Sequence, residues 1–412
     1  MRTKLLGLLK VYEDEISLLL WTVTLLFIIR SSGIILNNYA ETAFLKRYGV
    51  EYLPIVSMLN AVATFFITGF LTVFMGKMPG ARLLSYLFIF CGISVTVIRV
   101  LIPTGIDLLY PLLFMLKSQF ELLQALLFWN LCNDLFNSRQ SKRLFPLLTA
   151  GGVVGLILGS FFTPYFATIF QLDNLLYLYL CTTCTGAVIV EAMGRRFPTL
   201  IFPKKIRGKK QKKTSMIQEF KKVLPLIKDS MLIKIVIILT FTSNVVMPIL
   251  NYQFNYAIDN QFASEDAMIH FFGNFRGLLY TVSLFILLFV GRIYGKWGLP
   301  VALMFHPFNY MIAFFAFLFR FDMFAAIYAR MSTNIIRTTI NVPAGNILIG
   351  LFPESYRGMI RPFLRGTVAR LALFVGSGLI LLSGNFMHPR YLTFVALPFV
   401  LVWMAAPIIL KS

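Results

Sequence analysis

The sequence predicts an all-α polytopic membrane protein, with twelve transmembrane helices arranged as two pseudo-symmetric six-helix bundles. Hydrophobic residues make up 58% of the chain and charged residues 13%, with a mean hydropathy of +0.78. That is far from the balance of a soluble domain. Apolar stretches of about 20 residues, long enough to cross the hydrocarbon core, recur along the whole chain. A basic, hydrophilic stretch at 195–230 divides them six and six.

Span one is placed at Leu18–Tyr39 and is interrupted by Arg30. The apolar stretch after Lys10 runs on through it without a small-residue cleavage site, so no removable signal is expected. Spans two and three, Tyr52–Phe74 and Leu83–Leu101, flank a loop with Gly76, Lys77 and Gly80. Span four, Leu108–Leu131, carries Lys117, Glu121 and Gln124 at i, i+4 and i+7, on one helix face. Span five, Leu144–Phe166, repeats Gly151, Gly155 and Gly159 every fourth residue, a groove for close helix approach. Span six is Leu175–Met193.

In the second half, span seven, Met231–Tyr256, is marked by Asn244, Asn251 and Gln253. Span eight, Phe271–Val290, has Arg276 near its start and Gly273 and Gly277 as a second small-residue surface, available for packing across the halves. Span nine is Leu299–Phe319. Span ten, Met323–Leu348, holds Arg330, Asn334, Arg337 and Asn341 at helical spacing. Spans eleven and twelve are Arg365–Leu382 and Tyr391–Leu410.

The chain therefore reads as residues 1–194, a basic linker at 195–230 and residues 231–412. Lys204, Lys205, Arg207, Lys209, Lys210, Lys212 and Lys213 suit anionic lipid. Ile217, Phe220, Val223 and Leu226 then predict a short helix on the membrane surface. A shift of 216 residues superposes Asn130, Leu135, Phe136 and Pro146 on Asn346, Leu351, Phe352 and Pro362, a faint internal repeat.

Loop charge sets the expected orientation. With both termini cytoplasmic, only Lys46, Arg47, Arg99, Arg320 and Arg390 of the 38 Lys and Arg fall in external segments. The net charge of +21 is thereby explained by topology and lipid headgroups, and no nucleic-acid partner is expected.

Guanidinium and amide groups facing hydrocarbon are costly, so polar residues within spans point into a bundle or a watered path. In a carrier of two six-helix halves, spans one, four, seven and ten line the cavity. The candidate substrate-binding residues are Arg30, Lys117, Glu121, Gln124, Asn251, Arg276, Asn334, Arg337 and Asn341. Glu121 is the main visible counter-charge, and Arg30 and Arg337 have no comparable local partner, so the cavity should favour an anion. Lys117 and Glu121 equally suit a structural i,i+4 pair, and Arg330 and Arg370 suit snorkelling to the interface.

Enzyme chemistry finds no support. Cys181 and Cys184 have redox spacing but lie inside an apolar span, and with Cys91 and Cys132 read as buried fillers. His270, His306 and His388 are scattered, so neither a metal nor a cofactor is expected. The glycines lack the strand-turn-helix setting of a phosphate loop.

The stretch WNLCNDLFNSRQSKRLFPLLTAGGVVGLILGS, Trp129–Ser160, resembles the ATP/ADP translocases of intracellular bacteria and plastids, above all at Lys142, Arg143, Pro146, Leu147 and Gly151. FLKRYGVEYLP, Phe44–Pro54, and HFFGNF, His270–Phe275, are similar to two further segments of that family. The resemblance implies a major facilitator fold. It also exposes departures: the lysine that nucleotide exchangers carry after the first-helix arginine is replaced in Arg30, Ser31, Ser32, Gly33, and their seventh-helix glutamate and lysine fall on Asn251 and Asn255.

The expected function is secondary-active transport of an organic anion, nucleotide-like or phosphorylated, through the inner membrane of a bacterium. Coupling stays open between a proton relay through Glu121 and antiport of two anions. An anionic lipid or lysolipid is an alternative substrate, given 42 phenylalanines. A non-transporting partner subunit or sensor is an alternative of another class. A monomer suffices for each.

Overall fold

The computed structural model describes residues 11–75, 78–198, 230–287, 290–350, 352, 360, 363–384 and 386–409. The basic run and surface helix of the linker, Gly76 and Lys77, and Leu351 and Pro362 of the repeat lie outside the described residues.

The first six helices are α1 (Glu13–Arg47), α2 (Leu53–Met75), α3 (Gly80–Leu101), α4 (Leu109–Leu135), α5 (Ser138–Phe170) and α6 (Leu175–Arg196). The second six are α7 (Met231–Gln261), α8 (Glu265–Leu287), α9 (Val290–Phe319), α10 (Met323–Ile336, continuing through Arg337–Asn341 into Val342–Gly350), α11 (Phe363–Val368 and Ala369–Gly384) and α12 (Leu392–Ile409). Ten stretches among the described residues are long and apolar enough to cross a membrane. The other two helices are interrupted by polar groups: α8 by His270, Asn274 and Arg276, and α10 by a change of helical pitch at Arg337–Asn341.

That change has a local cause. Pro343 has no N–H to offer the Thr339 carbonyl and its ring crowds that carbonyl, so the ladder cannot run on as a regular α-helix. The Val342 N–H instead reaches back five residues to the Arg337 carbonyl, making one π turn, a feature often found where a helix carries function. Just before α10, Asp322 caps the helix through the Ala325 N–H at 3.0 Å and pairs with Arg320. Desolvation raises its carboxyl, but these hydrogen bonds outweigh it and hold the group below the usual carboxylate range.

Contacts gather the chain into two compact units. The first takes the described residues of Met1–Tyr48, Phe66–Lys209 and Ser264–Thr281; the second takes those of Gly49–Phe65, Lys210–Ala263 and Val282–Ser412. Helices α2 and α8 therefore each contribute to both units. Within the first unit the principal pairings are α1 with α4, α5 and α6, and α3 with α4 and α6. Within the second they are α7 with α10, α11 and α12, and α9 with α10 and α12. Adding six to every helix number turns the first set into the second, which gives the faint sequence repeat a structural counterpart.

Small residues decide how close these pairs come. A Cβ on Gly151 would meet Val23 at 2.6 Å, on Gly155 the Phe27 carbonyl oxygen at 2.6 Å, and on Gly159 Ile34 at 2.6 Å. The glycine row of α5 is thus the seat of α1. On another face of α5, Gly273 and Gly277 of α8 lie against Pro164 and Phe161, so a helix of the second sequence half packs on one of the first, the contact expected of these glycines, and does so inside one compact unit. Gly376 of α11 holds the equivalent seat for α7, against the Val245 carbonyl. Gly155→Val should lower the thermal unfolding midpoint in detergent, because added methyls at so close a contact cost about 1–3 kcal/mol. An unchanged midpoint would mean that α1 and α5 can separate freely.

Two expectations need correction. Helix α1 runs on to Arg47, well past the expected end at Tyr39, because Ala40, Ala43, Phe44 and Leu45 still bury an apolar face there. Cys91 and Cys132 are buried as expected, but Cys181 and Cys184 lie on the exposed side of α6, whose packed side is carried by Tyr179, Thr183 and Gly186.

Candidate functional site

In the first unit, one carboxylate holds most of the polar side chains together. Glu41 of α1 is 6% exposed and pairs with Arg276 of α8 and, at 3.6 Å, with Lys117 of α4. Lys117 donates to Asn37 at 2.7 Å and sits over the Phe114 ring at 3.9 Å, while Arg276 donates to Asn38 and lies over Phe272. Two cations share this carboxylate, so the cluster carries one excess positive charge in a largely buried setting.

Arg30 and Glu121 form a separate pair at 3.2 Å, with side chains 29% and 55% exposed. Along the chain Arg30 has no local partner and Lys117 has Glu121; the fold exchanges these partners, because α1 lies against α4 and carries Glu41 and Arg30 three turns apart on one packed helix. Gln124 is not in the group. It is 1% exposed and donates to the Tyr179 hydroxyl at 3.3 Å, joining α4 to α6.

Ser31, where nucleotide exchangers carry lysine, donates to the Gly155 carbonyl at 3.0 Å in the close α1–α5 contact. A lysine stem would collide there, so the departure has a packing reason. Arg143, one of the residues that carry the family resemblance, pairs with Glu15 at 2.8 Å, and Gln140 donates to the same carboxylate at 3.1 Å. These contacts fix the first two turns of α5 against the first turn of α1.

The second unit contains a cavity of about 200 Å³. Arg337 and Asn341 enter it from the π turn of α10, Asn244, Ser243 and Thr240 from α7, His306 and Tyr310 from α9, Arg365 from α11 and Trp403 from α12. The π turn places Arg337 and Asn341 on the same wall, one wide turn apart. The Arg337 guanidinium rests against the Met247 sulfur, a weak acceptor, and among the described residues no carboxylate pairs with it or lines the cavity. Its environment is therefore cationic, with amide and hydroxyl groups and aromatic faces around it.

Asn334 and Asn251 do not line this cavity. The Asn251 Oδ1 and the Asn255 Oδ1, one turn apart on α7, are buried without a hydrogen-bond partner among the described residues. Arg330 lies over the Phe254 ring at 5.4 Å. Glu41, His306, Tyr310, Trp403 and Arg365 were missed as site residues. Glu41 had a signal, since Asn37, Asn38 and Glu41 share a helix face once α1 is extended; a single histidine on an apolar helix gives none.

The sequence profile of the TLC ATP/ADP transporter family matches residues 108–350, more than half of the chain. No curated protein matches significantly. Among solved structures, a point mutant of the nucleoside transporter NupG has a TM-score of 0.70 at 14% identity, over 96% of this chain and 100% of that one. A D-xylose-proton symporter has a TM-score of 0.66 at 13% identity, over 95% and 96%. A bacterial homologue of the iron transporter ferroportin, in an inward-facing state, has 0.66 at 13%, over 96% and 99%. At such identities these likenesses speak for the fold, the twelve-helix major facilitator architecture. With the family profile spanning α4 to α10, the chain belongs to the TLC ATP/ADP transporter family and is a multi-pass membrane transporter, not an enzyme.

Proposed function

We propose that this transporter moves an organic anion, nucleotide-like or phosphorylated, by alternating access, with both termini cytoplasmic. The observation that carries this reading is the cavity of the second unit, where Arg337 and Arg365 contribute to a wall on which no described residue is a carboxylate. Guanidinium groups match phosphate and carboxylate geometry, and in a low-dielectric setting they reject cations. Asn244 and Asn341 add amide donors and acceptors, and Tyr310 and Trp403 add flat apolar faces. The excess positive charge around Glu41 in the first unit acts in the same direction.

The departures at Ser31, Asn251 and Asn255 shift the substrate away from strict ATP/ADP exchange while leaving an anion as cargo. Uptake of labelled ATP, AMP and inorganic phosphate into proteoliposomes tests this. Arg337→Ala should reduce uptake of the accepted anion about 10- to 100-fold, the equivalent of losing one or two charge-assisted hydrogen bonds. Arg337→Lys should recover part of it, since the charge returns without the planar fork. Unchanged uptake in Arg337→Ala would remove Arg337 from the substrate path, and no uptake of any of these anions by the wild-type protein would overturn the anion reading.

A further inference from the structure

We propose that the cavity of the second unit takes up a proton together with its anion, and that His306 holds the proton. This inference rests on the anion reading above and specifies how transport is coupled. His306 is 2% exposed; among the described residues neither ring nitrogen makes a hydrogen bond of good geometry, and the Thr333 backbone is a loose partner. Buried polar groups in native proteins are nearly always satisfied, so buried ring nitrogens this poorly bonded, in a side chain that lines the cavity, call for a partner that arrives with the cargo. The ring is held edge-on between Tyr310 and Trp403, with centroids 5.0 and 4.8 Å away. It cannot easily swing off to find another partner.

The surrounding charges give this position its meaning. Facing the cavity are Arg337 from α10 and Arg365 from α11; α7 contributes only hydroxyl, amide and apolar side chains, α12 contributes Trp403, and α9 adds the neutral phenol of Tyr310. Arg330, earlier on α10, is engaged with Phe254. With the cavity empty, a proton on His306 would add a further cation to a wall on which no described residue is a carboxylate. An anion reverses that balance, because it accepts a hydrogen bond from the imidazolium and neutralises the repulsion from Arg337.

Proton and anion should therefore bind with positive linkage, each raising the affinity for the other by the same factor. Imidazole is the side chain whose charge most readily changes near neutral pH. The proton comes from solvent as the anion enters and returns to solvent as it leaves, so the net movement is anion plus proton in one direction. Glu121, the carboxylate considered for a proton relay in the sequence, is committed to Arg30 in the other unit.

Titration calorimetry tests this on the detergent-solubilised full chain, with inorganic phosphate, AMP and ATP as successive probes, in pairs of buffers that differ in ionisation enthalpy. The wild-type protein should take up close to one proton, in order of magnitude, per anion bound, and its affinity should rise by up to about tenfold for each unit of falling pH across that range. His306→Gln should bind more weakly, with no proton uptake and a flat pH profile. Arg337→Ala should lose the binding itself.

Wild-type binding without proton uptake, or proton uptake that persists in a folded His306→Gln, would overturn the His306 proposal and leave the anion reading intact. No binding of any of the three probes by the wild-type protein would overturn both. The wild-type measurement stands alone if His306→Gln fails to fold.

Discussion

Glu41→Gln should be among the most destabilising single substitutions in the protein, lowering stability by about 3–5 kcal/mol, the range for breaking a buried ion pair by removing one partner. The glutamine keeps the shape and hydrogen-bonding reach of the side chain but withdraws the charge that Lys117 and Arg276 share. Those two cations, 8% and 9% exposed at their side chains, are then left facing one another with neutral amides from Asn37 and Asn38. Solvent offers little screening at such burial. The thermal midpoint in detergent should fall sharply, and adding Lys117→Met to Glu41→Gln should restore much of it, because one of the two stranded charges is gone. An unaltered midpoint in Glu41→Gln would show that water or lipid already solvates the cluster. If Lys117→Met made the double variant worse, repulsion could not be the cause.

How much of this could be read in the sequence depends on the kind of signal each feature leaves. Hydrophobic length is cumulative, so even α8 and α10, broken by Arg276 and by the Arg337–Asn341 turn, were legible as spans among their apolar neighbours. Glycine spacing is equally direct: Gly151, Gly155 and Gly159 repeat because a helix backbone must approach there. Partner choice is different, since it depends on which helices meet. Lys117 and Glu121 are neighbours along α4, yet Lys117 turns to Glu41 and Glu121 to Arg30 once α1 lies against α4. The end of α1 was set too early because its Asn37, Asn38 and Glu41 interrupt the apolar run while the helix continues. His306 left no trace at all, because the property that marks it is a ring whose buried nitrogens lack well-formed hydrogen bonds, which exists only in the folded cavity.

Arg47→Ala should also carry a large cost, and by a route that a double-mutant cycle can isolate. The guanidinium of Arg47 makes two parallel bonds of 2.6 Å to the Glu265 carboxylate at the start of α8 and a third contact of 2.8 Å to Asp173 between α5 and α6. Tyr39 donates to the same Asp173 at 2.7 Å, and the Tyr110 ring lies 5.5 Å beneath the guanidinium. One side chain at the end of α1 thus ties together the starts of α4 and α8 and the α5–α6 connection, all within the first unit. Exposed ion pairs are worth little, but a bidentate arginine in a network with side chains only about a quarter exposed is the geometry in which charge-assisted bonds keep much of their strength, toward the lower end of about 1.5–3 kcal/mol for such a bond because solvent still screens it in part. Removing Arg47 also leaves Glu265 and Asp173 as two carboxylates with a shared cation gone. The unfolding midpoints of Arg47→Ala, Glu265→Ala and the double variant should therefore be strongly non-additive, the second substitution costing little once the first is made. Additive losses would mean that the bidentate contact contributes nothing of its own and that each residue acts through packing. Arg47→Lys separates charge from geometry: it should recover only part of the loss, because an ammonium cannot bond Glu265 at two points and reach Asp173 at once.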